Sequence, residues 1–252
     1  MQKIQAKKTI YDLRFFPILE SSRVESQAVK SRNSLNFNDW AKIPDSITLF
    51  DKNRRERMFI ESGKIGFEID RNQAIEDRTQ EYKSEMMAAY KEFNPEKLHR
   101  VALREWFAIA VDGFSEQQIY NKLVDRFFRK DSLDIGFGTP PNDLALTFEW
   151  DANPWWYIRK IELGAMPKSE WLKKVKYFEL AFDVNGVSTP WIAGVEDSLP
   201  SNFIFMDVDT FWLAKPPTGQ PPKKPIDIQE FFGEIEKRNH EVAKRVLGLV
   251  TN

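Results

Sequence analysis

The chain has 252 residues, no cysteine, two histidines and a net charge of −1 from 37 basic and 38 acidic side chains. Without cysteine there is no disulfide framework, thiolate zinc site, iron–sulfur cluster or cysteine nucleophile, and His99 and His240 alone cannot build a three-histidine metal site. Near-neutrality argues against a generally basic nucleic-acid binder and leaves only a local basic patch open.

Twenty Phe, eight Trp and six Tyr provide large apolar areas for a core, in one large domain or two of ordinary size. No stretch approaches the roughly 18 apolar residues of a membrane span, and residues 1–8 lack the apolar run of a secretory signal. No membrane partner and a cytoplasmic location are therefore expected.

In chain order, residues 9–19 read as a strand ended by Pro17, and 20–45 as polar loop with a short helical piece. Residues 47–50 and 57–70 read as strands, with a turn at Gly63. A helix is expected over 73–93, stopped by Asn94-Pro95, then a long buried strand over 99–111. Ser115-Glu-Gln-Gln118 is a capping box that opens a helix to about Arg129.

Residues 131–143, with Gly136, Gly138, Pro140 and Pro141, read as a linker or long loop. Strands are expected at 144–150, 155–163 and 203–213, with a short helix at 168–174 between the last two. A hairpin at 177–193 turns on Asn185-Gly186. Residues 215–225 hold five prolines and read as a semi-rigid connector. A last helix starts at Asp227 and runs to about Val250, with Phe231, Phe232 and Ile235 on one side. The expected class is α+β, with an N-terminal half to residue 130 and a β-rich half from 144 to 252. Each half has antiparallel strands before a helix, an order that suggests a tandem duplication.

Phosphate-cradling glycine motifs and the nucleophile elbow are missing from the sequence. Asp207 and Asp209 lie on one face of a strand, with Phe203, Phe205 and Phe211, because side chains alternate with period two. With Glu149, Glu179 or Asp183 from neighbouring strands they would suit Mg²⁺ or Mn²⁺ and phosphoryl chemistry; the alternative is a solvated sheet face. Arg100 and Arg104 also share a strand face, and an arginine in such a strand implies a paired carboxylate or an anionic ligand. The basic run with Arg54, Arg55 and Arg57 reads as a solvated turn or, alternatively, a nucleic-acid contact. Trp155 and Trp156 suit core packing or an interface, and Phe231, Phe232 and His240 of the last helix are further interface candidates.

The order of three motifs resembles a sporadically distributed bacterial family of conserved proteins of unknown function. Arg100-Val-Ala-Leu-Arg104 resembles the family's Arg-x-Gly-Leu-Arg strand, Asp207-Val-Asp209 its Asp-x-Asp strand, and His240-Glu241 with Thr251 its terminal helix. Ala102 stands where the family has Gly, and Leu247 where it has an aromatic residue. The resemblance implies a bacterial, cytosolic, two-part α+β protein; its sporadic occurrence is compatible with a phage-defence role. It carries over no catalytic residue.

These residues lead to a non-enzymatic protein-binding or assembly component, self-associating or within a complex, that needs no cofactor. The alternatives are a Mg²⁺- or Mn²⁺-dependent phosphoryl-transfer enzyme or nuclease using Asp207 and Asp209, and a nucleic-acid-binding module using the arginines.

Overall fold

A computed structural model describes residues 4–18, 20–51, 53–71, 77–127, 147, 157–173, 199–215 and 226–251. Eight strands form one antiparallel sheet. They are β1 (Ile4–Phe15), β2 (Asp39–Ile43), β3 (Ser46–Asp51), β4 (Glu56–Glu61), β5 (Lys64–Asp70), β6 (Leu98–Ala110), β7 (Ile158–Pro167) and β8 (Asn202–Leu213). Their order across the sheet is β2-β3-β4-β5-β1-β6-β8-β7. Four helices are α1 (Ser21–Leu35), α2 (Thr79–Phe93), α3 (Glu116–Phe127) and α4 (Ile228–Thr251); residues 168–173 are also helical. None is long and apolar enough to cross a membrane.

The α+β class holds; the order of elements repeats in another form than expected, with a helix directly after the first strand and the second run opening at β6, inside residues 1–130. From the central pair β1–β6 outward, β5 and β8 come next, then β4 and β7. A helix follows each central strand in the chain, and another follows β5 and β8. The two halves share one sheet instead of building separate ones.

Period-two alternation sorts the sheet into two faces. Tyr11, Leu13, Ile65, Phe67, Val101 and Leu103 point to the helix side, where they pack with Tyr82, Met86 and Phe231. Further along, Phe107, Ile109, Ile204 and Met206 pack with Ile119 and Leu123 of α3 and Ala243 and Val246 of α4. The other face has an aromatic end, where Trp171 of the 168–173 segment covers Trp106, Met166 and Phe203.

Local chemistry sets the ends of the helices. Asn36 and Asn94 close α1 and α2 in the left-handed region, at φ 54° and 41°. Ser115 and Gln118 exchange the two bonds of the capping box: Ser115 N donates to Gln118 Oε1 (2.8 Å), and Gln118 N to Ser115 Oγ (3.3 Å). Asp227 Oδ1 accepts from the N–H groups of Gln229 and Glu230, both at 3.0 Å.

Three expectations need correction. Residues 20–45 are not mostly loop, since α1 spans 15 of them and β2 follows. Its buried side is Val24, Gln27, Ala28, Ser31 and Leu35, helical in period but half polar, so it lacks an apolar stripe. Gln27 and Ser31 are satisfied there by each other and by Glu85 of α2. Strand β1 begins at Ile4 and ends before Pro17. The strand expected at 155–163 runs over 158–167. The strand expected at 144–150, the hairpin at 177–193 and the linker lie outside the described residues, apart from Thr147.

Candidate functional site

Two groups of residues singled out separately in sequence meet on the face of the sheet opposite the four long helices. In the β6–β8 register Arg104 lies opposite Asp209 and Trp106 opposite Asp207. The guanidinium groups reach diagonally. Arg104 donates from Nε and Nη2 to Asp207, at 2.9 and 2.5 Å. Arg100 Nη2 donates to both oxygens of Asp209, at 3.1 and 3.0 Å, and its Nη1 lies 3.4 Å from Asp12. Ala102 between the two arginines lines the same concavity, and its short side chain leaves room for both.

Residues from four further positions extend this ladder. Arg14 donates to Asp12 at 3.0 Å, while Arg57 and Lys8 both reach Glu68, at 2.6 and 2.5 Å. Lys64 stacks on Phe59 at 4.0 Å and Arg100 on Phe211 at 4.6 Å. Arg14, Arg57, Phe59, Lys64, Glu68 and Arg100 of this ladder line a shallow concavity of about 380 Å³. Its rim and floor carry Arg14, Arg57, Lys64, Arg100 and Arg104 against Asp12, Glu61, Glu68 and Asp209, so the charges nearly cancel.

Burial outweighs the attraction of Arg100 and Arg104 for Asp209, whose carboxyl lies above its ordinary range. Burial acts on Glu68 in the same direction, but Lys8 and Arg57 overcome it and hold that carboxyl below its ordinary range. The hydrogen bond to Asp207 holds the Arg104 guanidinium more firmly protonated.

Arg104 is 45% exposed and Asp207 8%, so Arg104→Met leaves a buried carboxylate short of its cation. A loss of about 1 kcal/mol is expected in urea unfolding, small because the arginine end of the pair is wet. Arg104→Lys should not restore it, because a lysine cannot supply the two-pronged contact. An unchanged urea midpoint in Arg104→Met would show that the pair contributes nothing net.

Elsewhere the structure redistributes the candidates. Arg55 is not in a solvated turn: it is buried at φ 55° and bonded to buried Asp70 at 2.7 Å. Arg54 lies 2.9 Å from Asp51, and Arg57 belongs to β4. Phe231 and Phe232 are fully covered by this chain's own core and leave no surface for an interface. His240 lies part-exposed against the Phe107 ring, 6.4 Å between centroids. Trp155, Trp156, Asp183, Glu149 and Glu179 lie outside the described residues. Among the described residues no group of three His, Asp or Glu side chains could hold a metal ion.

One surface had no sequence warning. Among the described residues β2 is the edge of the sheet; Val29 and Trp40, 62% and 54% exposed, stand on its helix side, and Ile43, 65% exposed, on its other face. A groove of about 180 Å³ between α1 and this edge continues the patch over Ala28, Ile47 and Leu49. Alternation in a five-residue strand is too short to announce an exposed edge.

No family model matches the chain, and no curated protein matches it. Among solved structures, a TBP from Methanococcus jannaschii matches over 99% of this chain and 98% of its own, with 8% identity and a TM-score of 0.34. A likeness of that size carries no argument about function.

Proposed function

We propose that this protein is a non-enzymatic assembly component that joins a second copy of itself through β2. The carrying observation is the edge strand: three of the five large apolar side chains that stand exposed among the described residues flank it, Val29 and Trp40 on its helix side and Ile43 on its other face. Beside them, among the described residues β2 pairs with β3 alone, which leaves its outer main-chain groups as the side on which another strand would add. Two copies of β2 pairing antiparallel about Ala41 would place each Trp40 opposite the Lys42 of the other copy, a cation over an aromatic face. Lys42 already bonds Glu25 at 2.5 Å, so the polar rim of such an interface is in place around the apolar centre.

The other two readings draw less support from the geometry. Asp207 and Asp209, which would have to hold Mg²⁺ or Mn²⁺, already bind the guanidinium groups of Arg104 and Arg100, and a metal ion would have to displace those cations. A polyanion such as nucleic acid needs an excess of positive charge, whereas the arginines of the concavity have carboxylate partners and a nearly balanced field.

Light scattering after size exclusion tests the proposal. The expected mass is that of two chains at high micromolar concentration, falling to one chain in Trp40→Glu and Ile43→Lys with unchanged circular dichroism. Both side chains are exposed, so neither variant should damage the fold. A wild-type monomer at that concentration overturns the proposal.

A further inference from the structure

On the helix side of the sheet, α2 and α4 leave a cleft of about 310 Å³ above the central strands, its lining shared by Tyr11, Arg71, Glu105, Phe107, Glu236 and His240. Glu105 occupies a helix-side position of β6, between Leu103 and Phe107, in a row that is otherwise apolar. It is only 8% exposed.

Asn239 Nδ2 donates to Glu105 Oε2 at 2.9 Å. Asn239 is itself held in place, because Thr210 Oγ1 donates to its Oδ1 at 3.2 Å and Arg159 Nε donates to Thr210 Oγ1 at 3.0 Å. Among the described residues Oε1 of Glu105 has no hydrogen-bond partner, and the Glu105 side chain lines the cleft. The other carboxylates of the cleft each have a cation. Glu236 bonds Lys83 and accepts from the Tyr11 hydroxyl at 2.5 Å; Asp77 lies 3.3 Å from Arg71. Glu105 alone has a neutral amide. A buried carboxylate so placed is costly to ionise unless a cation joins it.

We propose that this cleft binds a small organic cation carrying a primary ammonium group, which donates to Oε1 of Glu105 while its carbon chain lies against the Phe107 ring. A carboxylate beside aromatic rings is the chemistry that recognises amines. The volume is at the lower end of small-molecule sites and fits a ligand of a few carbons.

Without such a ligand, burial pushes the Glu105 carboxyl up to about 7. Glu236 on α4 pushes it the same way; Arg71, which follows β5, and Lys83 on α2 oppose it. His240 on α4 and Asp77 before α2 complete the ionisable lining, with the Tyr11 phenol on β1. Below that midpoint the carboxyl holds a proton. Binding an alkylammonium ion then converts it to carboxylate and releases that proton to solvent, with the ligand's own charge unchanged.

The site is independent of the β2 edge, so its test stands apart from the oligomeric state. The probe is n-propylammonium chloride, titrated calorimetrically below the Glu105 midpoint in two buffers of different ionisation enthalpy, with sodium chloride holding ionic strength constant. Saturable one-site binding with release of up to about one proton is expected. Glu105→Gln should lose about tenfold or more in affinity together with the proton release. Tetramethylammonium, which has no N–H donor, should bind about tenfold more weakly than the primary amine. Gln80→Trp, a change at an exposed position on the rim, should hinder entry without touching the buried groups. No saturable binding of propylammonium to the wild-type protein overturns the proposal. So does equal affinity in Glu105→Gln, or equal affinity for tetramethylammonium.

Discussion

Gly66→Ala is expected to destabilise the fold by about 3 kcal/mol, the upper part of the range for forcing a methyl group into a packed interior. Gly66 lies in β5, opposite Asp12 of β1 and Phe59 of β4. A Cβ there would come within 2.1 Å of the Tyr11 carbonyl oxygen and 2.4 Å of two Phe59 ring atoms. The ring can move; the carbonyl belongs to the β1–β5 ladder and can move only by parting two central strands. Urea unfolding of three variants separates the terms. Gly66→Ala combined with Phe59→Ala should recover only the ring's share. Gly233→Ala, in α4 with nothing within 4 Å of its added Cβ, should instead stabilise by about 0.5–1 kcal/mol. If Gly66→Ala unfolds at the wild-type urea concentration, the close approach of β1 and β5 is not as tight as described.

That contrast marks how far the sequence could be read. Gly63 is legible as a turn because it interrupts an apolar alternation, and β4 and β5 do turn there. Gly66, three residues on, looks like any weak strand position. Its cost is set by Phe59 and by the Tyr11 carbonyl, and the second of these comes from a strand more than fifty residues earlier. Alternation correctly divides β8 into Asp207, Asp209 and the phenylalanines on one face and Ile204, Met206, Val208 and Trp212 on the other. It says nothing of which strand lies alongside. That β6 is the neighbour, in the register that brings Arg100 and Arg104 to those aspartates, follows from long-range packing across 109 and 103 residues of sequence.

Helix α1 and the α4 phenylalanines were hidden for opposite reasons. Periodicity detects apolar stripes, and α1 buries a mixed one whose Gln27 and Ser31 are satisfied by Glu85 of α2. Phe231 and Phe232 do form an apolar face, but one sequence cannot say whether that face meets its own sheet or a partner. Glu105 is the converse case. The same period-two rule that groups Arg100 with Arg104 puts Glu105 among Leu103, Phe107 and Ile109, so a carboxylate on the apolar face was visible without a structure. What required the structure was the identity of its partner, a neutral asparagine 134 residues away.

Raising the pH from about 5 to about 8 is expected to weaken the fold by about 3 kcal/mol through Glu105 alone, since each unit of pKa difference is worth about 1.4 kcal/mol. In the unfolded chain its carboxyl titrates near the ordinary 4.5; burial in the fold moves it to about 7. Between those values the folded state keeps a proton that the unfolded state has lost, so stability is complete below 4.5 and declines as pH rises through 7. Glu105→Gln removes the titration and keeps an oxygen to accept from Asn239. The variant should therefore match the wild type near pH 4.5 and exceed it above pH 7 by about 3 kcal/mol, or roughly 5–10 °C in Tm. Every other titrating group is common to both proteins, so the difference between their pH profiles isolates this carboxyl. Parallel profiles across that window would mean that Glu105 is ionised in the fold and already has a cation. A gap that opens with pH and then closes when n-propylammonium is added to the wild type would tie the missing charge partner of the folded state to the amine site.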